Sequence, residues 1–370
     1  MPAAAGEPPS LLRHVHLEAI QSVTPKEMVP PGQARRIGGT VEWGDGAALG
    51  SHFRAVLYYR RAGDFDDAWS VSAHLKESLS AALAVDPLLA GRLRRRDGGD
   101  GGLELRLNDG GVRLVQAKAD FTMTELLASP EREVVEAHLA HWPGIDGEKP
   151  HFSALFFVQV TGFPDDGISI GLSCSLLLAD PLLLSGFLHK WAQIHTTMKA
   201  QKQFTSAGIF NLGAFKRPGR SSYLKSTAIA SGGVAPRTVL FDGGAATAAA
   251  YVEEAARRVG ERPEEAAAAG FSLIITEADR MAELKVVECS AKEAEAAVPL
   301  PPSGGVSKGF SCFTGDWLRG GELGLTEGNK AETVSWHLVP ATERPLVVVM
   351  PAADDGGRGM VSVTFPKKEE

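Results

Sequence analysis

The chain is poor in cysteine. Three in 370 residues, Cys174, Cys289 and Cys312, stand far apart and odd in number. No C-x-x-C pair exists, so neither a disulfide framework nor a cysteine-held metal is expected, and a reducing compartment fits best. A surplus of positive charge is also absent. The formal net charge is −7, which excludes a basic face large enough to hold nucleic acid in bulk. The run Arg92-Leu93-Arg94-Arg95-Arg96 is the local exception, and reads as a solvated strand end beside a turn. Long apolar runs are missing too. The longest, around Leu172–Leu188, is broken by Asp180-Pro181 and is too short to cross a bilayer. The first residues, Met1-Pro2-Ala3-Ala4-Ala5-Gly6-Glu7, have no basic start and no apolar stretch, so no signal peptide is expected.

What is present is ordinary for a globular protein: 44% hydrophobic and 22% charged residues, in a length that suits about two domains. Residues 11–23 read as one or two opening strands, and "GSHFRAVLYYRR" as a strand ending near Arg61. "DDAWSVSAHLKESLSAALAVD" has helical spacing, with Trp69, Leu75, Leu79 and Leu83 on the apolar face. "LELRLNDGGVRLVQAKAD" reads as a hairpin about Asp109-Gly110-Gly111. "FTMTELLA" and "EREVVEAHLAHW" read as short helices. "HFSALFFVQVTGF" and "GISIGLSCSLLLAD" are apolar strands joined by Pro164-Asp165-Asp166-Gly167, and their continuous apolar character predicts burial on both faces. A helix should follow, with Pro181 tolerated in its first turn. Residues 200–236 lose all periodicity and read as a linker. Beyond it come a strand at "RTVLFD", an Ala-rich helix broken near Gly260–Pro263, two segments of strand or helix ("GFSLIITEA" and "MAELKVVECS"), and strands at "GGVSKGFSCF", "AETVSWHLVP", "PLVVVMP" and "GMVSVTFP". The last two predict a hairpin across Asp354-Asp355-Gly356-Gly357.

Several segments, in order, resemble the plant BAHD acyltransferase family. They are "DPLLAGRL" at Asp86–Leu93, the span "VQVTGFPDDGISIGLSCSLLLADPLLLSGFLHKWAQI", and the C-terminal "SWHLVP" with "LVVVMPAADDGGRGMVSVTF". The nearest resemblance within the family is to the Eceriferum/Glossy-type wax branch, whose members act in very-long-chain fatty acid elongation beside a ketoacyl-CoA synthase of the endoplasmic reticulum. The resemblance implies an α/β fold of two similar domains, each a mixed sheet flanked by helices. On this chain it implies a first domain at 1–199, a crossover linker at 200–236 and a shortened second domain at 237–370. It also implies a monomer, acyl-CoA as the substrate with no permanently bound cofactor or metal, and a place in the cytoplasm, including the cytosolic face of the endoplasmic reticulum.

In such a family the His of an H-x-x-x-D motif takes the proton from an acceptor hydroxyl or amine as the oxygen or nitrogen attacks the thioester. A base with a near-neutral pKa suits that step. Here the Asp position holds Asp180 and the His position holds Leu176, which cannot accept a proton. Asp180 would brace the loop. The loss of a general base costs about 10²–10⁴-fold in rate. No histidine has Asp as its fourth following residue, and His141 misses the spacing by one. His189 and His195 fall on the helix after the motif, where ordinary packing roles are expected. His337, in a strand of the second half, is the candidate substitute base. The family's second signature, beside the CoA channel, maps to Gly324-Leu325-Thr326-Glu327-Gly328, with Leu325 for the aromatic residue and only Gly328 kept. Cys174, in an apolar strand, reads as an inert buried thiol. Three readings follow: a catalytically degenerate accessory factor for wax, an active acyltransferase using His337 or an already nucleophilic amine acceptor, and a truncated relative without function.

Overall fold

The computed structural model describes residues 15–40, 49–60, 68–96, 102–204, 236–242, 246–289, 310, 312, 316–325, 330–351 and 359–366. Two mixed sheets organise them. The first holds six strands in the spatial order β1 (Val15–Val23), β6 (Val112–Ala119), β7 (Phe156–Gly162), β8 (Gly167–Ser175), β3 (His52–Arg60) and β12 (Thr333–Val339). β6 and β7 run parallel; every other neighbouring pair is antiparallel. The second holds eight: β4 (Arg92–Arg95), β5 (Leu103–Arg106), β2 (Ala34–Gly39), β11 (Leu284–Cys289), β10 (Phe271–Ile275), β13 (Leu346–Met350), β14 (Met360–Phe365) and β9 (Arg237–Asp242). Each sheet therefore takes strands from both sides of residue 236. The middle of the expected linker, 205–235, lies outside the described residues.

Sheet one is covered on both faces, which is why β7 and β8 are buried along almost their whole length. On one face lie α1 (Ala68–Val85) and α4 (Pro181–Ala200), packed against each other. On the other lies α3 (Arg132–Leu139), beside the short α2 (Met123–Ala128). Side chains alternate along β3 as the pleat requires: Phe53, Ala55, Leu57 and Tyr59 join the α1/α4 core, while Val56 and Tyr58 join the α3 core. The β7–β8 hairpin closes with Asp166 at φ 59°. Asp165 accepts the backbone N–H groups of Met123 and Thr124, so this turn also anchors the start of α2. In the second sheet, α5 (Ala248–Val259) packs on β9 and β14 and ends at Gly260 in the left-handed region, φ 78°. It is followed by α6 (Pro263–Ala268).

Three expectations are corrected. The segment 103–119 is not a hairpin. β5 pairs with β4 and β2 in sheet two, while β6 pairs with β1 and β7 in sheet one. The Asp109-Gly110-Gly111 turn hands the chain between sheets, and Gly111 (φ 76°) passes so close to Val23 that a Cβ would lie 2.5 Å from its carbonyl oxygen. Trp69 does not share the buried face of α1 and is 39% exposed. Six residues before Leu75 is not a helical repeat, so its side chain points away from the Leu75–Leu79–Leu83 stripe. Arg92 is not a solvated strand end: it is buried, donates to the carbonyls of Gly91 and Gly110, and burial lowers its pKa to about 10. The two ambiguous segments at 271–275 and 284–289 are strands.

Candidate active site

The motif loop begins where β8 ends. Ser175 N–H donates to the Leu155 carbonyl, and Leu176 N–H donates to the Ser51 carbonyl at 3.1 Å. The chain then turns tightly, with Leu178 and Ala179 donating back to the Ser175 carbonyl. Leu176, Leu177, Leu178 and Ala179 are at most 1% exposed. Asp180 is the N-cap of α4: its Oδ1 accepts the Leu183 N–H at 2.9 Å, and Pro181 supplies a first helical residue that needs no donor.

Arg35 braces the loop from β2, a strand of the other sheet. Its guanidinium donates to the carbonyls of Leu177 (2.6 Å) and Leu178 (3.0 Å). Burial lowers the Arg35 pKa to about 10, opposed by the charges of Asp180, Cys174 and Asp86. Burial likewise raises the Asp180 carboxyl, opposed by hydrogen bonds from Leu183, Thr276 and Leu182 and by Arg35. Arg35 was not singled out by the sequence. One arginine in a short alternating strand carries no signal of the loop it will meet 142 residues later.

The candidate residues are dispersed. Leu176 packs in the same apolar cluster as Phe53, Leu172, Trp317 and the fully buried Leu325. Gly328 lies outside the described residues. His337 is on the other side of sheet one. It pairs with Arg54 across the β12–β3 ladder, and its Nε2 lies 3.7 Å from Glu136 Oε2 of α3. Its neighbour Trp336 turns the opposite way and meets Trp317 edge to face, ring centroids 5.1 Å apart. The sheet thus separates His337 from the Leu176–Asp180 loop. His189 Nε2 lies 3.0 Å from the Leu318 carbonyl, and His195 Nδ1 is 2.9 Å from Ser78 Oγ. His141 packs edge to face on Phe157. Cys174 is buried, and burial pushes its thiol far above the ordinary range.

The arrangement holds a helix start and a loop firmly. It offers no proton acceptor at the position that would need one. A family model described as Transferase family matches residues 44–221, the stretch that includes this loop. Those residues, just under half of the chain, match a Transferase-family domain. Among curated proteins, ECERIFERUM 26-like of Arabidopsis thaliana is 34% identical over 146 residues, covering 40% of this chain and 33% of that protein. ECERIFERUM 26 of the same plant is 33% identical over 126 residues, covering 34% and 28%. Brassinosteroid-related acyltransferase 1, also of Arabidopsis thaliana, is 34% identical over 158 residues, covering 41% and 33%. The matches thus span about a third of each relative's length. Among solved structures, vinorine synthase superposes with a TM-score of 0.49 at 15% identity, over 96% of this chain and 95% of that one. The mixed sheets flanked by helices stand on the strand pairing itself. No helix among the described residues is long and apolar enough to cross a membrane.

Proposed function

We propose that this protein keeps a BAHD architecture without the family's general-base chemistry, and works as an accessory factor in very-long-chain fatty acid elongation for cuticular wax. The observation that carries the first half is Leu176. An apolar side chain, 1% exposed, occupies the base position, while Asp180 four residues on is retained as a helix cap. The second half rests on the resemblance to the Eceriferum/Glossy branch and on the Eceriferum proteins among the relatives. In this reading the partner is a ketoacyl-CoA synthase, met by a single copy of this chain at the cytosolic face of the endoplasmic reticulum. Co-expression with such a synthase tests it: the expected result is a longer product chain and physical association. No lengthening and no association would remove the wax assignment.

A second reading is supported by relatives named as transferases, among them Brassinosteroid-related acyltransferase 1 and the hydroxycinnamoyltransferase of Narcissus pseudonarcissus. Here acyl-CoA is the substrate and an amine acceptor, nucleophilic without a base, compensates for Leu176. Aminolysis of acyl-CoA by the native chain, with no transfer to alcohols, would favour it.

A further inference from the structure

β12 is the outermost strand of sheet one and, among the described residues, pairs with β3 alone. Six of its seven residues are only half-buried; Leu338 alone is fully buried. A strand with so little apolar burial sits at the low end of local stability. Its two faces meet different neighbours. Val334, Trp336 and Leu338 turn to the α1/α4 core, while His337 turns to α3, and alternation puts Ser335 beside it. On the core face β12 carries the segment 316–325, which forms no strand of its own. Trp336 holds Trp317 edge to face, and Trp317 in turn meets Phe53 at 5.7 Å. Gly320 lies so near β12 that a Cβ there would stand 2.5 Å from Val334 Cγ2. The segment then covers the start of α4, directly after the motif loop. The Trp317 and Leu318 carbonyls each lie 3.5 Å from Ser185 Oγ, and the Leu323 carbonyl accepts from Tyr59 Oη at 3.0 Å.

On the far face of the sheet, β12 meets a buried carboxylate. Glu136 of α3 is 1% exposed. Its Oε1 accepts from Tyr58 Oη at 2.9 Å and from Arg132 Nε at 2.7 Å, and Arg132 also lies 5.2 Å over the Tyr58 ring. Its Oε2 lies 3.7 Å from His337 Nε2. Burial pushes the Glu136 carboxyl up, but His337, Arg132 and Ser335 together hold it below the ordinary carboxylate range. The groups around this carboxylate thus come from three elements: Tyr58 from β3, Arg132 from α3, Ser335 and His337 from β12. Contacts to an ionised group are the strong kind, and removing one partner leaves the charge poorly satisfied. Glu136 therefore ties a strand that arrives from beyond residue 236 to a helix of the first half, at the point where that strand has little else to hold it.

We propose that β12 and residues 316–325 form one strap over the start of α4, latched from the far face of sheet one by Glu136, and that the strap opens as a unit when the Glu136 contacts to β12 are lost. The coupling runs through β12 itself. Ser335 and His337 fix the strand from one side, and Val334 and Trp336, the residues between and beside them, seat Gly320 and Trp317 on the other. Closed, the strap seals the apolar cluster that holds Leu176, Phe53 and Leu325. Open, it presents that cluster to solvent without unfolding the central strands β7 and β8. Glu136 is a positioning residue in this device. It touches neither the motif loop nor the strap segment 316–325, and acts on both through β12. The strap goes beyond either reading of the function, because it concerns access to the loop and not the chemistry performed there.

The test is amide hydrogen exchange of the full chain, read by mass spectrometry for the native protein, E136Q and H337Q. E136Q keeps the size of the side chain and removes its charge. The expected result is faster exchange by about tenfold or more in both 333–339 and 316–325, with β7 and β8 unchanged. H337Q should show the same pattern, and the double variant should add little to E136Q, because both changes break one contact. V135A serves as the control. It trims a buried side chain next to Glu136 on α3 and should not loosen the strap selectively. If E136Q does not fold, H337Q, altered on a partly exposed side chain, carries the same comparison. Faster exchange spread evenly over all strands would mean general destabilisation, and overturns the proposal. So does loosening of 333–339 with 316–325 unchanged, which would mean that an edge strand frays alone, or a V135A pattern that matches E136Q.

Discussion

Leu176 differs from the histidine the chemistry requires by more than its lack of a proton acceptor. It is buried, 1% exposed, in a cluster of apolar side chains, a setting that suits leucine and not an imidazole. Restoring the base alone should therefore not restore the reaction. L176H places an imidazole in an apolar cluster and removes a well-packed leucine. The expected cost is about 2–4 kcal/mol in chemical denaturation, with no gain in acyl transfer. Asp180 behaves differently, because its oxygen has a defined task at the start of α4. D180A should cost about 1–2 kcal/mol through the lost cap, and D180N, which keeps a cap oxygen, should cost less. A third residue-scale prediction concerns acid. Burial holds His52, His138 and His195 at about 4, below the ordinary 6.5. The unfolded chain thus takes up these protons first. Stability is complete above pH 6.5 and falls as the pH drops from there towards about 4, by at most about 1.4 kcal/mol per pH step for each group. Denaturation midpoints across that range should show it, with a shallower fall in H195Q.

At the scale of elements, α1 and α4 are joined by more than apolar packing. Ser78 Oγ in α1 accepts the Trp191 indole N–H at 2.9 Å and sits 2.9 Å from His195 Nδ1, both in α4. S78A would strand both groups in a buried setting. The expected loss is about 2–4 kcal/mol by denaturation, more than a surface Ser→Ala causes. Elements of this kind were legible in the sequence where their cause is local. The Pro181 start of α4, the Asp165-Asp166 turn and the break at Gly260 each follow from a residue's own backbone preference. Segment 103–119 was not legible. Its Asp109-Gly110-Gly111 turn is chemically a hairpin turn, yet β5 and β6 find partners in different sheets, which only long-range packing decides. The same holds at the site. Leu176 and Asp180 could be read from their order in the chain. Arg35 could not, since its bond to the loop depends on two sheets meeting.

At the scale of the whole molecule, the sheets are built from both halves. β12 comes from residues 333–339 yet lies in sheet one, and β2, β4 and β5 come from the first 106 residues yet lie in sheet two. Arg35 ties sheet two to the motif loop, and an Arg280–Asp86 ion pair links the same two halves. Neither half can complete its hydrogen bonding alone, so the chain should unfold as one unit. Calorimetry of the full chain should give a single transition, and a fragment ending at residue 204 should lack cooperative unfolding. Independent folding of that fragment would refute the interlocked account.

The central proposal is that this protein keeps a BAHD architecture without BAHD base chemistry. The most direct measurement is acyl transfer from a panel of acyl-CoAs to alcohol acceptors, comparing the native chain with L176H. The account predicts no turnover above the uncatalysed rate for either protein. Clear turnover by the native chain would contradict it.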